Sequence, residues 1–499
     1  MRVSLALVSA GYASVCLAVP VLVTTTSGIL AGTQSNGVSS FKGVRFAQSP
    51  TGQLRWAAPV PFTALALQTA TALGPACLQQ FPFASSQVDQ LLFNNPSDPP
   101  PESEDCLFLN VWTPASSFTQ KLPVLVWIYG GALDFGTASL PAYDGTSIAT
   151  NQGVVVISFN YRTNVFGFPG SPDLPLAGNN LGFLDQELAL QWVQLNVAKF
   201  GGSPTQVTIM GQSAGAQSAS YAIQRHTPAN APFRAAIMLS GAQVTTLALT
   251  SPFAAFNNFS VAVGCGTIPG SLRLACLKQV SATAIRNFTN GPTGGTFAPV
   301  VDDVTLFTDP LEQRLHAVGL TDLNAFLRTT GGGLITAAEI RPLYPGLNDT
   351  VIIQEIIKDV EFLCPAQLWT AAAVGAGVTN VRCPYVGPVF ADLQIIPGFG
   401  AWHSSELPEI FGTFNPATAT AAEVTLSHTM QTIVANFVKN PTVAPAANWA
   451  KYIPGPLTAT LAKLAYNGNV APSNVVQAVQ SDSIDGPCAF WDTILDPVV

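Results

Sequence analysis

Short, unbroken apolar runs recur in the first half of the chain, at residues 107–112, 123–129 and 154–160. Runs of this length suit strands covered on both faces of a sheet. Over residues 183–200 the period changes: Leu184, Leu188, Leu190, Trp192, Val193 and Val197 recur at helical spacing, which predicts a helix with one buried face. Residues 207–210 then read as a strand and 213–224 as a helix. Strands alternating with helices predict an α/β architecture, a central mostly parallel mixed sheet flanked by helices. Residues 19–60 differ. Their Val/Thr-rich runs are punctuated by Ser-Gly and Asn-Gly, predicting a small N-terminal region of β-hairpins. Residues 78–105 mix Phe81, Phe83, Leu91, Leu92 and Phe93 with Asn, Ser and five prolines and predict an irregular loop. No internal repeat and no linker interrupts residues 19–499, which read as one domain.

Composition narrows the class. Of 499 residues, 48% are hydrophobic and only 10% charged, against a usual charged share of about 25%. Disordered, acidic-tail and coiled-coil proteins need many more charges. A net charge of -8 offers nucleic acid no electrostatic footprint. At the start, Arg2 precedes an apolar run ending Cys16-Leu17-Ala18, which predicts a signal peptide over residues 1–18 and an exported, extracellular protein. The run is too short for a membrane anchor, and later uncharged stretches are broken by Asn, Gly and Pro, so no transmembrane segment is predicted. Eight cysteines become seven once Cys16 leaves with the leader; export makes disulfides expected, with one thiol over. Asn258, Asn287 and Asn348 open Asn-x-Ser/Thr glycosylation triplets, whereas proline excludes Asn440-Pro441-Thr442.

Chemistry concentrates in three places. Gly211-Gln212-Ser213-Ala214-Gly215 lies between a predicted strand and a predicted helix. A serine on so sharp a turn has a strained backbone, and side chains two residues either side would clash, so glycine suits both places. Trp127-Ile128-Tyr129-Gly130-Gly131-Ala132-Leu133 ends a strand in a small-residue turn. Exposed N–H groups there, with that of Ala214, could hold a carbonyl oxygen as it becomes an oxyanion. Of the four histidines, His226 follows the serine's helix, His316 sits in a charged amphipathic segment and His428 in a predicted helix. His403 falls in the polar loop Gly400-Ala401-Trp402-His403-Ser404-Ser405-Glu406, after a strand-like run at 383–389. That position fits a chain order of serine, acid, then histidine.

At this point the chain resembles the type-B carboxylesterases and lipases, cholinesterase-related α/β-hydrolases, and most of all their secreted fungal members. The resemblance rests on Phe41-Lys42-Gly43-Val44, Leu54-Arg55-Trp56, Glu104-Asp105-Cys106-Leu107-Phe108-Leu109-Asn110-Val111, Asn160-Tyr161-Arg162, Gly178-Asn179-Asn180-Leu181-Gly182, Leu184-Asp185-Gln186, Phe200-Gly201-Gly202, the serine turn, and His403 with Glu406. It implies a secreted carboxylic ester hydrolase that works through an acyl-serine. Ser213 would be the nucleophile, His403 the general base and then acid, and Gly131, Ala132 and Ala214 the oxyanion donors. It implies an Arg55–Glu104 ion pair and disulfides Cys77–Cys106, Cys265–Cys276 and Cys364–Cys488, with Cys383 free. It implies no metal and no organic cofactor. The partner would be a small-molecule or lipid ester, and five large apolar residues in 78–105, where such enzymes carry a lid, could touch a lipid surface.

Three departures matter. Gln212 stands where the family usually has Glu. Ala132 stands where a third glycine is usual, so its methyl group must point somewhere. The third is larger. The family carries its triad acid after the segment Pro299-Val300-Val301-Asp302, on a strand that runs into a loop with Glu then Gly. Here Leu315-His316-Ala317-Val318-Gly319-Leu320 passes directly to Thr321-Asp322-Leu323-Asn324, and about two dozen residues of the family pattern are absent near 319–322. Asp302, Asp303, Glu312, Asp322 and Glu339 do not sit in the expected pattern, so the catalytic acid is unassigned. Either an exon is missing from the reading of the gene, or this is a decayed copy. The retained Ser213, His403 and cysteines favour the first. The alternative function is a catalytically impaired or non-catalytic binding or adhesion protein.

Overall fold

The computed structural model describes residues 19–495 apart from 117, 228, 242–252, 303, 307–322, 324–326, 328–334, 379, 387–389, 394–401, 456 and 466–468. The leader, the junction at 319–322, His316, Asp303, Glu312 and Asp322 lie outside the described residues.

Among the described residues nine strands form the main sheet: β1 (Val19–Thr25), β2 (Gly28–Ser35), β3 (Val38–Arg45), β4 (Leu67–Thr69), β5 (Phe108–Pro114), β6 (Leu122–Ile128), β7 (Val155–Phe159), β8 (Gly202–Gln212) and β9 (Ala235–Leu239). Their order is β1-β2-β3-β5-β7-β6-β8-β9, with β4 beside β2. Pairing is antiparallel from β1 through β7 and parallel from β7 through β6 and β8 to β9. The three apolar runs are β5, β6 and β7. All five residues of β7 are buried, because helices cover both faces of a parallel sheet. The predicted helix at 183–200 is Leu181–Asn196 followed by a 3-10 turn, Val197–Phe200. The predicted hairpins end at β3, and residues 46–60 hold only a short 3-10 turn, Gly52–Leu54. A helix, Ser86–Phe93, lies in the stretch predicted to be irregular.

A second sheet joins β10 (Pro384–Val386), β11 (Leu461–Leu464) and β12 (Val476–Val479). The described part of the strand-like run before His403 is β10, which pairs with β11. Among the described residues β9 has one strand neighbour, β8, and all five of its residues are only partly buried.

Polar groups fasten the main sheet to its helices. Asp185, fully buried, accepts from the Arg162 backbone N–H at 2.9 Å and from Arg162 Nε and Nη2 at 2.8 and 2.7 Å. This ties the end of β7 to helix Leu181–Asn196. Gly182 makes the approach possible, since a Cβ there would stand 2.4 Å from the Arg162 carbonyl. Arg55 and Glu104 form a two-pronged pair at 2.5 and 2.6 Å. Disulfides join Cys77 to Cys106, Cys265 to Cys276 and Cys364 to Cys488, and Cys383 is a free thiol. Among the described residues no helix is long and apolar enough to cross a membrane.

Candidate active site

β8 ends at Gln212 and the next helix starts at Ala214, which leaves Ser213 on the bend with φ 55° and ψ -126°. A non-glycine residue held there costs about 1–3 kcal/mol. The flanking glycines explain how the bend closes. A Cβ on Gly211 would lie 2.1 Å from the Gly215 carbonyl oxygen, and one on Gly215 would lie 2.1 Å from that of Ile128. The neighbouring strand holds the bend in place: Ser213 N–H donates to the Leu239 carbonyl of β9 at 2.9 Å. The Ser213 carbonyl in turn accepts from Ala216 and Gln217 N–H at 2.8 and 3.0 Å.

The small-residue turn after β6 packs directly on this bend. A Cβ on Gly130 would stand 2.8 Å from the Ser213 Cβ. Gly131, Ala132 and Leu133 follow with φ of 114°, 55° and 62°, a run of left-handed residues folded back by Asp134 and Phe135 N–H donating to the Gly131 carbonyl. Among the described residues, the N–H groups of Gly131 and Ala132 meet no acceptor. Ala214, as the first residue of its helix, has an N–H with no intrahelical partner. Three unsatisfied donors thus stand in the two turns that flank Ser213. Ala132 is exposed, so its methyl group faces open space rather than the core.

His403 is brought to this corner from 190 residues away (403 minus 213). It sits in a turn in which Ser405 N–H donates to the Trp402 carbonyl at 2.9 Å and Ser404 has φ 84°. Trp402 is pinned by its Nε1–H to the Leu393 carbonyl at 2.9 Å and by ring contact with Phe93 at 6.0 Å. The imidazole touches the residue next to the serine: Gln212 Nε2 lies 2.9 Å from His403 Nε2. The Phe362 ring packs on it with centroids 4.7 Å apart. Among the described residues no hydrogen bond joins His403 to Ser213 Oγ. Burial pushes the imidazole pKa down to about 4.

The remaining charged groups divide clearly. Glu406, three residues on, is pushed up to about 7 by burial and accepts a hydrogen bond from Ser240 at the end of β9. Its other oxygen, Oε1, is buried without a partner. Asp302 is spent on Asn180, Thr305 and the backbone of its own turn. Glu339 caps its own short helix through Thr336. No described carboxylate hydrogen-bonds His403. His226 does have one, Glu187 at 2.9 Å, but it ends the helix Ala214–Arg225, about 18 Å along the axis from Ser213. His428 lies on helix Ala421–Lys439. Among the described residues no cluster of three metal-ligating side chains occurs. Sequence reading missed Phe362, which carries no chemical signature and sits on a one-turn π-helix, Asp359–Leu363.

The family profile described as "Carboxylesterase family" matches residues 19–325. The chain is 31% identical over 443 residues to a chlorogenic acid esterase of Aspergillus niger, covering 85% of this chain and 83% of the relative. It is 31% identical over 468 residues to a para-nitrobenzyl esterase of Bacillus subtilis (strain 168), covering 86% and 92%. A protein of Gibberella zeae named secreted lipase 5 is 28% identical over 491 residues, covering 90% and 91%. With its α/β-hydrolase sheet and its serine bend, the chain belongs to the carboxylesterase family and is a carboxylic ester hydrolase.

Proposed function

We propose an exported serine esterase. Ser213 attacks the carbonyl carbon of an uncharged carboxylic ester while His403 takes the hydroxyl proton. The N–H groups of Gly131, Ala132 and Ala214 hold the oxyanion. His403 returns the proton to the departing alcohol; water then attacks the acyl-serine through the same base, and the carboxylic acid leaves. The observation that carries this reading is a strained serine on a strand-to-helix bend with an imidazole against the adjacent side chain. Treatment with an uncharged phosphonate ester tests it: the adduct belongs on Ser213, and a folded chain that takes no adduct contradicts it. Export agrees with three disulfides, and Asn258, Asn287 and Asn348 are all exposed, as glycan acceptors must be.

The acid of the triad is unassigned in this mechanism. Support comes from the sheet, which among the described residues has no strand beyond β9 while β10 belongs elsewhere, and from the family match, which ends at residue 325, close to the junction at 319–322. Lack of an acid costs on the order of 10⁴ in turnover. A second reading, a catalytically impaired member retained for binding, draws on the same observation. Sequencing the transcript across 319–322 separates the two: an additional in-frame segment of strand plus acid favours the enzyme, and an uninterrupted junction favours the impaired copy.

Two features tune the substrate. Ala132 puts a methyl group into the open space beside the oxyanion donors, on the side we assign to the alcohol. Ala132→Gly is expected to raise the rate on a tertiary-alcohol ester relative to a primary one, and an unchanged ratio would reject this assignment. Phe83, Val88 and Leu91 are exposed at 60%, 41% and 39% on the loop closed by Cys77–Cys106, and Phe93 of its helix reaches Trp402. A lid that opens at a lipid surface predicts a jump in rate above a triglyceride's solubility limit; a smooth saturation curve means these residues only cover the loop.

A further inference from the structure

The contacts of His403 specify more than proximity. Gln212 Nε2 is 2.9 Å from one ring nitrogen and 3.5 Å from the other. A donor in line with one in-plane lone pair would lie far from the second nitrogen. Nearly equal distances therefore place the amide over the ring. The amide rests on the imidazole, the Phe362 ring packs against it, and among the described residues no hydrogen bond reaches either in-plane nitrogen from a carboxylate.

Resting on the serine-esterase reading, we infer that Gln212 and Phe362 are positioning residues for His403, doing the orienting part of a triad acid's work without its charge. A carboxylate acts twice: it fixes the ring's angle and stabilises the imidazolium. An amide and a phenyl ring can only do the first. The amide N–H carries partial positive charge toward the ring and works against protonation, in the same direction as burial. Both contacts come from elements fixed independently of His403. Gln212 is the last residue of β8, and Phe362 sits on the π-turn Asp359–Leu363. That turn is anchored from behind by Tyr344 OH donating to Asp359 at 2.8 Å and Trp491 Nε1–H donating to Tyr344 at 2.9 Å. It is also anchored by Cys364–Cys488, one residue beyond its end. Among the described residues the ionisable groups at this corner are Glu406, bonded to Ser240, and Tyr143, raised by burial and by the Glu406 charge. Neither hydrogen-bonds the ring.

The test is the rate of inactivation by an uncharged phosphonate as a function of pH. The parent's acid limb is expected near pH 4, where burial places the imidazole. Gln212→Leu and Phe362→Leu keep the bulk but lose the clamp, and should slow inactivation about 10- to 100-fold, the scale of a misplaced catalytic group. Gln212→Glu keeps the contact and lays a negative charge on the ring, so its acid limb should move up by about one to three pH units. A Gln212 side chain that lay away from the imidazole would not move that limb, and a slowed Gln212→Leu separates orientation of the ring from mere contact with it. If Gln212→Leu fails to fold, the near-isosteric Gln212→Glu decides alone. Variants matching the parent within about twofold, with an unmoved limb, overturn the inference while leaving the serine reading intact. A parent that takes no phosphonate overturns both.

Discussion

Replacing Ser213 by alanine should lower kcat by only about 10²-fold, far less than in a complete triad. The reason is non-additivity. In a complete triad, loss of the serine costs about 2 × 10⁶ in kcat and loss of the acid alone about 3 × 10⁴. The quotient, about 10², is what serine and histidine still provide once the acid has gone, the rest of the catalysis coming from oxyanion donors and binding. In this chain no described carboxylate bonds His403, while three N–H groups that meet no acceptor among the described residues flank the bend. The check is kcat for a p-nitrophenyl ester in parent and Ser213→Ala chains. A loss near 10⁶ would mean that a carboxylate does support His403.

The largest expected effect on stability belongs to Asp185. It is 0% exposed and takes three hydrogen bonds from Arg162, which is itself 3% exposed. Asp185→Ala leaves a buried guanidinium with its carboxylate gone, a change that costs about 3–5 kcal/mol. The double variant Arg162→Met/Asp185→Leu removes both charges and should recover most of that loss, because the desolvation cost disappears with the attraction. Urea unfolding midpoints read both. A single variant as stable as the parent would show that the pair does not hold β7 to its helix, and a double variant no better than the single would show that packing, not charge, decides.

What could be read in the sequence follows from how local each constraint is. β5, β6 and β7 announce themselves because both faces are covered and every residue must be apolar. Ser213 announces itself because the bend imposes glycine two residues either side, a constraint confined to five residues. β4, β10, β11 and β12 have three or four residues each; their extended state comes from partners far along the chain, so no local period marks them. Helix Ser86–Phe93 hides for a similar reason, being flanked by prolines and polar residues that suggest a loop. The His403 clamp could not be read at all. It joins Gln212, Phe362 and His403 across 191 positions (403 minus 212), and neither an amide nor a phenyl ring advertises itself. The junction near 319–322, where the family pattern is expected, lies outside the described residues, and among those described the main sheet has no strand beyond β9.

The arrangement as a whole requires that a covalent ester form on one hydroxyl during turnover. Mixing the chain with a slowly deacylating ester, quenching in acid and mapping the peptides by mass measures this directly. An acyl group on Ser213 in the parent and none in His403→Ala is the expected result. Ester hydrolysis that proceeds with Ser213 unmodified, or acylation that is indifferent to loss of the imidazole, would contradict it.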